Sequence, residues 1–333
     1  MQKLRLGVLS TAKIGRTKVI PPMQRCQRVE VRAIASRDPA LARAVAAELG
    51  IPEAHGSYEA LLADPEIDIV YNPMPNHLHV PWTVKAVEAG KHVLCEKPIG
   101  ITAEDARTLI AARDRTGKRI QEAFMVRSHP QWSTTRELIG AGRIGELRAI
   151  HGHFSYFLTD PANVRNQADI GGGGLLDIGC YPITTARFVT GTEPRRVAAM
   201  IDRDPAMRVD RLGSVLLDFP GVHCSFTYST QLVPRQTMQF FGTTGRLEVE
   251  VPFNAPVDRP TRLFLYDAAD QGTNIIQTLE IPTCDQYGLM ADAFARSIQE
   301  GTAQPVPLED SLLNMRVIDA VRAAGESGRW VEP

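Results

Sequence analysis

The sequence contains no apolar run approaching the roughly 18 residues that a bilayer-crossing helix needs. Its start, Lys3-Leu4-Arg5-Leu6-Gly7-Val8-Leu9, lacks the basic, apolar and small-residue segments of a signal peptide and reads as a first strand. A cytoplasmic protein with no membrane partner is expected. Charge of one sign is also missing: 37 Lys and Arg stand against 38 Asp and Glu with no basic block, which argues against a nucleic-acid partner. Cysteine is sparse. Cys26, Cys95, Cys180, Cys224 and Cys284 are scattered without a Cys-x-x-Cys pair, and His77 and His79, two apart, face different ways on a helix. No metal site is expected, and each thiol reads as a small buried hydrophobe. Repeats, low-complexity tracts and long linkers are absent too, and 333 residues suit two domains better than one core.

What is present begins with a βα alternation. Leu4 to Leu9, Val29 to Ala35, Ile67 to Asn72, His92 to Cys95 and Ile120 to Ala123 read as buried strands separated by helical patterns, which predicts a parallel sheet with helices on both faces. Asp38 before Pro39 is a helix cap, and Thr102 with Asp105 forms a capping box for a helix ending near Gly117. Beyond about residue 123 the rhythm changes. After one helix, Gln131 to Ala141, come short strands: Leu147 to Phe157, Ser214 to Phe219, Val222 to Ser229, Thr237 to Phe241, Arg246 to Val251, Arg262 to Tyr266 and Asn274 to Ile281. Tight turns such as Pro220-Gly221 make successive strands antiparallel. Two helices close the chain, Gln286 to Gln299 and Glu309 to Ala324. The expected fold is α/β: a doubly wound N-terminal domain over residues 1–122, then an α+β domain over 123–333 with a large, mainly antiparallel open sheet.

Ligands of an open α/β sheet gather at the carboxyl ends of its strands. After the first strand comes Ser10-Thr11-Ala12-Lys13-Ile14-Gly15, where a dinucleotide fingerprint has Gly-x-Gly-x-x-Gly; only the last glycine remains, but the strand-to-helix context suits a pyrophosphate. The second strand ends in Ser36-Arg37 where an NAD site has an acid, and a hydroxyl with a guanidinium fits a 2′-phosphate, so NADP is favoured over NAD. After Asn72, the residues Asn76 and His79 act near the cofactor or cap the next helix. At the end of His92 to Cys95 stands Glu96-Lys97-Pro98, a lysine poised for chemistry. Further on, Gly171 to Gly174 let the backbone approach a ligand, and Asp177 and Tyr181, four apart, share a helix face that Pro182 opens locally.

With Ser10 to Gly15, Asn76-His77-Leu78-His79, Glu96-Lys97-Pro98 and Gly172 to Tyr181 in this order, the chain resembles the glucose-fructose oxidoreductase / inositol dehydrogenase (Gfo/Idh/MocA) family over nearly its full length. The resemblance implies a Rossmann domain, a second domain whose open sheet often dimerises, and hydride transfer between nicotinamide and a sugar or polyol. Many members carry histidine where this chain has Tyr181. Tyrosine there, with Glu122-Ala123-Phe124-Met125, Arg127 and His129-Pro130, is similar to the branch of aldose dehydrogenases, glucose-fructose oxidoreductase and dimeric dihydrodiol dehydrogenase.

On this resemblance Tyr181 is the base, Lys97 stabilises its phenolate and holds the substrate oxygen, and Asp177 orients substrate or Lys97. By position in the resemblance Arg127, Arg165 and Asn163 contact substrate or cofactor, Glu96 and Tyr287 lie by the cofactor, and a homodimer or dimer of dimers forms. The leading expectation is an NADP-dependent aldose 1-dehydrogenase for xylose or glucose. A dihydrodiol dehydrogenase, a glucose-fructose oxidoreductase-like enzyme and a non-catalytic sensor of NADP or sugar are the rivals.

Overall fold

The computed structural model describes residues 2–333, and the chain divides into two compact units, Met1–Ser128 with Asp285–Leu312, and His129–Cys284 with Leu313–Pro333. The first unit is built on six parallel strands: β1 (Leu4–Leu9), β2 (Val29–Ala35), β3 (Glu53–His55), β4 (Ile69–Asn72), β5 (His92–Cys95) and β6 (Ile120–Glu122). Their order is β3-β2-β1-β4-β5-β6, which reverses direction between β1 and β4 and makes that gap the switch point where such sheets take ligands. Central strands are buried on both faces, as in β4 and the last four residues of β1, because helices cover the sheet on each side.

Caps set the helix boundaries. Asp38 accepts hydrogen bonds from Ala40 N at 2.9 Å and Leu41 N at 3.2 Å, opening the helix Pro39–Leu49, and Thr102 with Asp105 completes the expected capping box of Ala103–Thr116. Sequence periodicity missed β3, a three-residue edge strand too short to carry a pattern. The division at 122/123 also differs from the observed one. The helix Gln286–Glu300 belongs to the first unit because the Asp292 carboxylate accepts from Gln27 N at 3.2 Å and Arg28 N at 2.9 Å, an anchorage invisible in linear order.

The second unit carries an eight-stranded sheet: β7 (Leu147–Phe157), β8 (Arg196–Arg203), β9 (Asp210–Phe219), β10 (Val222–Ser229), β11 (Gln231–Gly242), β12 (Gly245–Val249), β13 (Thr261–Asp267) and β14 (Ile275–Ile281). Its order is β14-β13-β12-β11-β7-β10-β9-β8, antiparallel throughout except that β10 runs parallel to β7. The edge strand β8 escaped the sequence reading because Arg196, Asp202 and Arg203 interrupt its apolar residues. Along β10, Cys224, Phe226 and Tyr228 are buried while His223, Ser225 and Thr227 face the other way. That second face is mixed: Ser214 and Thr227 share a hydroxyl hydrogen bond at 3.1 Å and Gln239 donates to Glu248 at 2.9 Å, with Met200 and Leu216 exposed beside them.

Candidate active site

In the first unit the strand ends assemble the nucleotide-side residues. Ser10, directly after β1, has φ 74°, the left-handed conformation that favours glycine, so it does the turning expected of the first glycine of a dinucleotide fingerprint. Its Oγ accepts from Ala12 N at 3.3 Å, a short-range bond that helps a serine hold this turn. Thr11 and Ala12 lead into helical backbone at Lys13 and Ile14, and at Gly15 a wider π turn begins. A Cβ at Gly15 would meet the Tyr71 ring at 3.7 Å, ordinary contact, so packing within the protein does not by itself require glycine here. The first N–H groups of a helix lack internal acceptors and can receive a pyrophosphate.

After β2, Ser36 is buried and its Oγ accepts from Asp38 N at 3.2 Å, while Arg37 is exposed. Asp38 is committed to its cap, which leaves the strand end without an acid for a ribose hydroxyl. After β5, the Tyr71 hydroxyl donates to Glu96 Oε1 at 2.6 Å and the Lys97 backbone N–H donates to Glu96 Oε2 at 3.2 Å. Burial and Glu96 both push the Tyr287 phenol upward, so Tyr287 lies close enough to sense that carboxylate. Asn76 opens the short helical turn Asn76–Leu78.

Two of the expected first-unit residues are engaged by the unit's own groups. His79 is 1% exposed, and its ring nitrogens lie 2.7 Å from Pro98 O and 2.7 Å from Met74 O, so the ring is enclosed by backbone rather than presented to a cofactor. Burial lowers its pKa to about 4. Arg127 donates through Nη1 to Asp310 Oδ2 at 2.8 Å, so its charge is matched inside the unit before any substrate arrives.

In the second unit the π turn Leu175–Gly179 leads into the helix Cys180–Thr190, so the backbone is widened just before Pro182, as the missing N–H of proline requires. Asp177 receives the Tyr156 hydroxyl hydrogen bond and pairs with Arg165 Nε at 3.0 Å. The Asp177 carboxylate holds the Arg165 guanidinium firmly charged, and Tyr181 contributes to the same effect, which places the Tyr181 phenol in the field of this pair. Burial, with Asp177 beside it, pushes the Tyr156 phenol up, so it remains a donor. Asn163 accepts from Arg165 N at 3.1 Å and shapes the turn that delivers the arginine. The Tyr181 ring packs against Phe154 at 5.7 Å and Phe253 at 5.5 Å between centroids, with Phe154 stacked on Phe253 at 4.8 Å.

The glycine run approaches the protein's own groups rather than a ligand. A Cβ at Gly172 would lie 2.6 Å from Gln167 O, one at Gly173 2.0 Å from Asp210 Oδ1, and one at Gly174 3.0 Å from the Tyr228 ring. Gly173 N donates to Arg165 O at 2.8 Å and Leu175 N to Asp210 Oδ2 at 2.6 Å, so the run seats the Arg165 loop against the helix that carries Asp177. Tyr71, Tyr156, Asp210 and Tyr228 had no linear signal: each lies far in sequence from the group it supports. Among the described residues no group of three or more His, Cys, Asp or Glu could hold a metal ion, and no helix is long and apolar enough to cross a membrane.

Residues 4–124 match the oxidoreductase family with an NAD-binding Rossmann fold, and residues 132–248 match the GFO/IDH/MocA C-terminal domain. The chain belongs to the Gfo/Idh/MocA oxidoreductase family. It is 46% identical, over 99% of each chain, to an uncharacterized oxidoreductase of Rhizobium meliloti. It is 39% identical, again over 99% of each, to a D-xylose 1-dehydrogenase (NADP(+)) of Haloferax volcanii. A solved structure of a 3-ketoreductase from Actinomadura kijaniata, in complex with NADP and TDP-benzene, superposes with a TM-score of 0.90 at 32% identity, covering 97% of this chain and 98% of the other. This member of the Gfo/Idh/MocA family is therefore an NAD(P)-dependent dehydrogenase acting on CH–OH groups, with a nucleotide-binding Rossmann domain.

Proposed function

We propose that the protein is an NADP-dependent aldose 1-dehydrogenase, oxidising the anomeric carbon of an aldopyranose such as xylose or glucose. The observation that carries this reading is Tyr181 four residues after Asp177 on continuous helical turns, with Asp177 ion-paired to Arg165 at 3.0 Å, a proton acceptor on the same segment as charged groups that suit the hydroxyls of a sugar. The end-to-end likeness to the Haloferax volcanii D-xylose 1-dehydrogenase supports it. The residues present fit NADP: the helix start after Ser10 offers backbone N–H groups to the pyrophosphate, and exposed Arg37 with Ser36 offers donors to a 2′-phosphate while Asp38 is held elsewhere. Bound NADP+ supplies the hydride acceptor.

Tyr181 takes the substrate hydroxyl proton on its phenolate oxygen. Lys97, just after β5, is the donor to the substrate oxygen in this reading. Asp177, held by Arg165 and Tyr156, accepts from a neighbouring sugar hydroxyl. Phe154 and Phe253 fix the Tyr181 ring and keep water from it. These aromatic walls also favour a second reading, oxidation of an apolar cyclic diol. A panel of aldoses and cyclic diols, followed by NADPH absorbance, separates them: fastest turnover with an aldose supports the first, with a diol the second, and no turnover with either, despite NADP binding, a sensor. The open second face of the eight-stranded sheet, with Met200 and Leu216 exposed, is proposed as a homodimer contact, and a monomeric mass by light scattering at micromolar concentration rejects it.

A further inference from the structure

Lys97 is carried by a segment whose neighbouring residues are bonded on both sides by buried polar groups from other strand ends. Glu96 N donates to Asn72 O at 3.0 Å, and Tyr71, at the end of β4, donates its hydroxyl to Glu96 Oε1 at 2.6 Å. On the other side His79 Nδ1 lies 2.7 Å from Pro98 O, and Ile99 N donates to Glu122 Oε1 at 2.8 Å. Through Nε2, 2.7 Å from Met74 O, the same imidazole reaches the loop that follows β4. Asn72 Nδ2 in turn donates to His79 O at 3.1 Å and to Thr83 Oγ1 at 3.2 Å, which fixes the helix start on which the imidazole stands.

Both partners of the imidazole are carbonyl oxygens, which only accept. The ring therefore donates to one of them when neutral and to both when protonated, and nothing else at the ring is left to meet a ligand. A buried polar ring whose two nitrogens face the loops after β4 and β5 is a tie between those loops. It joins them beside the gap between β1 and β4 where the sheet reverses direction.

We propose that His79 is a positioning residue for Lys97, which, with Tyr71 as its counterpart on the Glu96 side, ties the Lys97 backbone in place so that the amine is preorganised. The proposal rests on the reading of Lys97 as the group that meets the substrate oxygen. A preorganised group loses function steeply with small displacements, about a hundredfold for about 1 Å. The effect of removing the tie should therefore be found at Lys97 rather than in cofactor affinity.

The test uses the full chain and the variants His79→Leu, His79→Gln and Tyr71→Phe. Trace acetylation by acetic anhydride is read at every lysine by peptide mass spectrometry across a pH series, and NADP affinity is titrated by fluorescence. The expected result is a labelling profile at Lys97 that shifts severalfold in His79→Leu, less in His79→Gln, which keeps one donor, while Lys85 and Lys118 label as in the wild type and NADP binds as before. Tyr71→Phe removes only a hydroxyl and should shift Lys97 in the same selective way, which covers the case in which His79→Leu fails to fold. Three results overturn the proposal: an unchanged Lys97 profile, an equal change at all lysines, or weakened NADP binding with Lys97 unaltered. Labelling needs no substrate, so a wild type that oxidises no sugar sinks the aldose reading and leaves this result standing.

Discussion

Arg165 and Asp177 form an ion pair at 3.0 Å, and the Tyr156 hydroxyl completes the set by donating to the same carboxylate. Asp177 is thereby orientated from two sides before any substrate is present. Tyr156→Phe removes one of those donors without changing shape. A hydrogen bond to a charged acceptor contributes about 1.5–3 kcal/mol, so urea denaturation of Tyr156→Phe should show a loss of that order. An unchanged midpoint would mean that water replaces the phenol at no cost.

Tyr181→Phe and Lys97→Met should each lower kcat by about a hundredfold or more, the scale of losing a positioned acid-base group. Groups that serve one proton transfer are not additive, so on the proposed mechanism the double variant should lose much less than the product of the two. Steady-state rates of NADPH formation decide this, and near-normal turnover in Tyr181→Phe removes the phenol from the proton-transfer role.

Arg37→Asp exchanges an exposed guanidinium for a carboxylate at the end of β2. NADP affinity should fall far more than NAD affinity, since a charge-assisted bond becomes a repulsion at the 2′-phosphate. Should the wild type bind NAD more tightly than NADP in the same titration, the assignment of Ser36 and Arg37 is wrong.

Ser10 occupies left-handed backbone at φ 74°, which costs a side-chain-bearing residue about 1–2 kcal/mol relative to glycine. Against this, its Oγ bond to Ala12 N at 3.3 Å is long and weak. Strain outweighs that bond, so Ser10→Gly should be more stable than Ser10→Ala by about 1 kcal/mol in thermal unfolding. Equal stability of the two variants would show that the turn relaxes when the hydroxyl is removed.

Stability should decline in mild acid. His129 is buried, its Nδ1 accepts from Gln131 N at 3.2 Å as a helix cap, and burial lowers its pKa to about 4; burial likewise lowers His92 to about 4. The unfolded chain takes up these protons first, so the stability they contribute is present above the unfolded pKa of about 6.5 and is lost as pH falls towards the folded value. For the buried His129 the upper bound over that window is about 3 kcal/mol. His129→Asn keeps a capping oxygen and should flatten part of the slope in urea titrations between those pH values; an identical slope in the variant assigns the acid sensitivity elsewhere.

How much of this was legible in sequence follows burial and locality. β1, β2, β5, β7 and β10 have the ends that the apolar runs suggest, because a strand buried on one or both faces must advertise it in its residues. Edge strands β3 and β8 carry no such obligation and were missed. Lys97 could be placed at a strand end and Asp177 and Tyr181 on one helix, since each depends only on neighbours within a few residues. The supports of those groups could not. Tyr228 faces Gly213 through the β9–β10 register, where a Cβ on the glycine would lie 2.4 Å from the ring, and the same ring fills the space that Gly174 leaves. Local chemistry thus determined the strands, the caps and the candidate reactive groups. The partners of Asp177 and of the residues flanking Lys97, and the enclosed place of His79, were decided by tertiary structure, because hydrogen bonds between strand ends depend on register and chain return rather than on any periodic pattern.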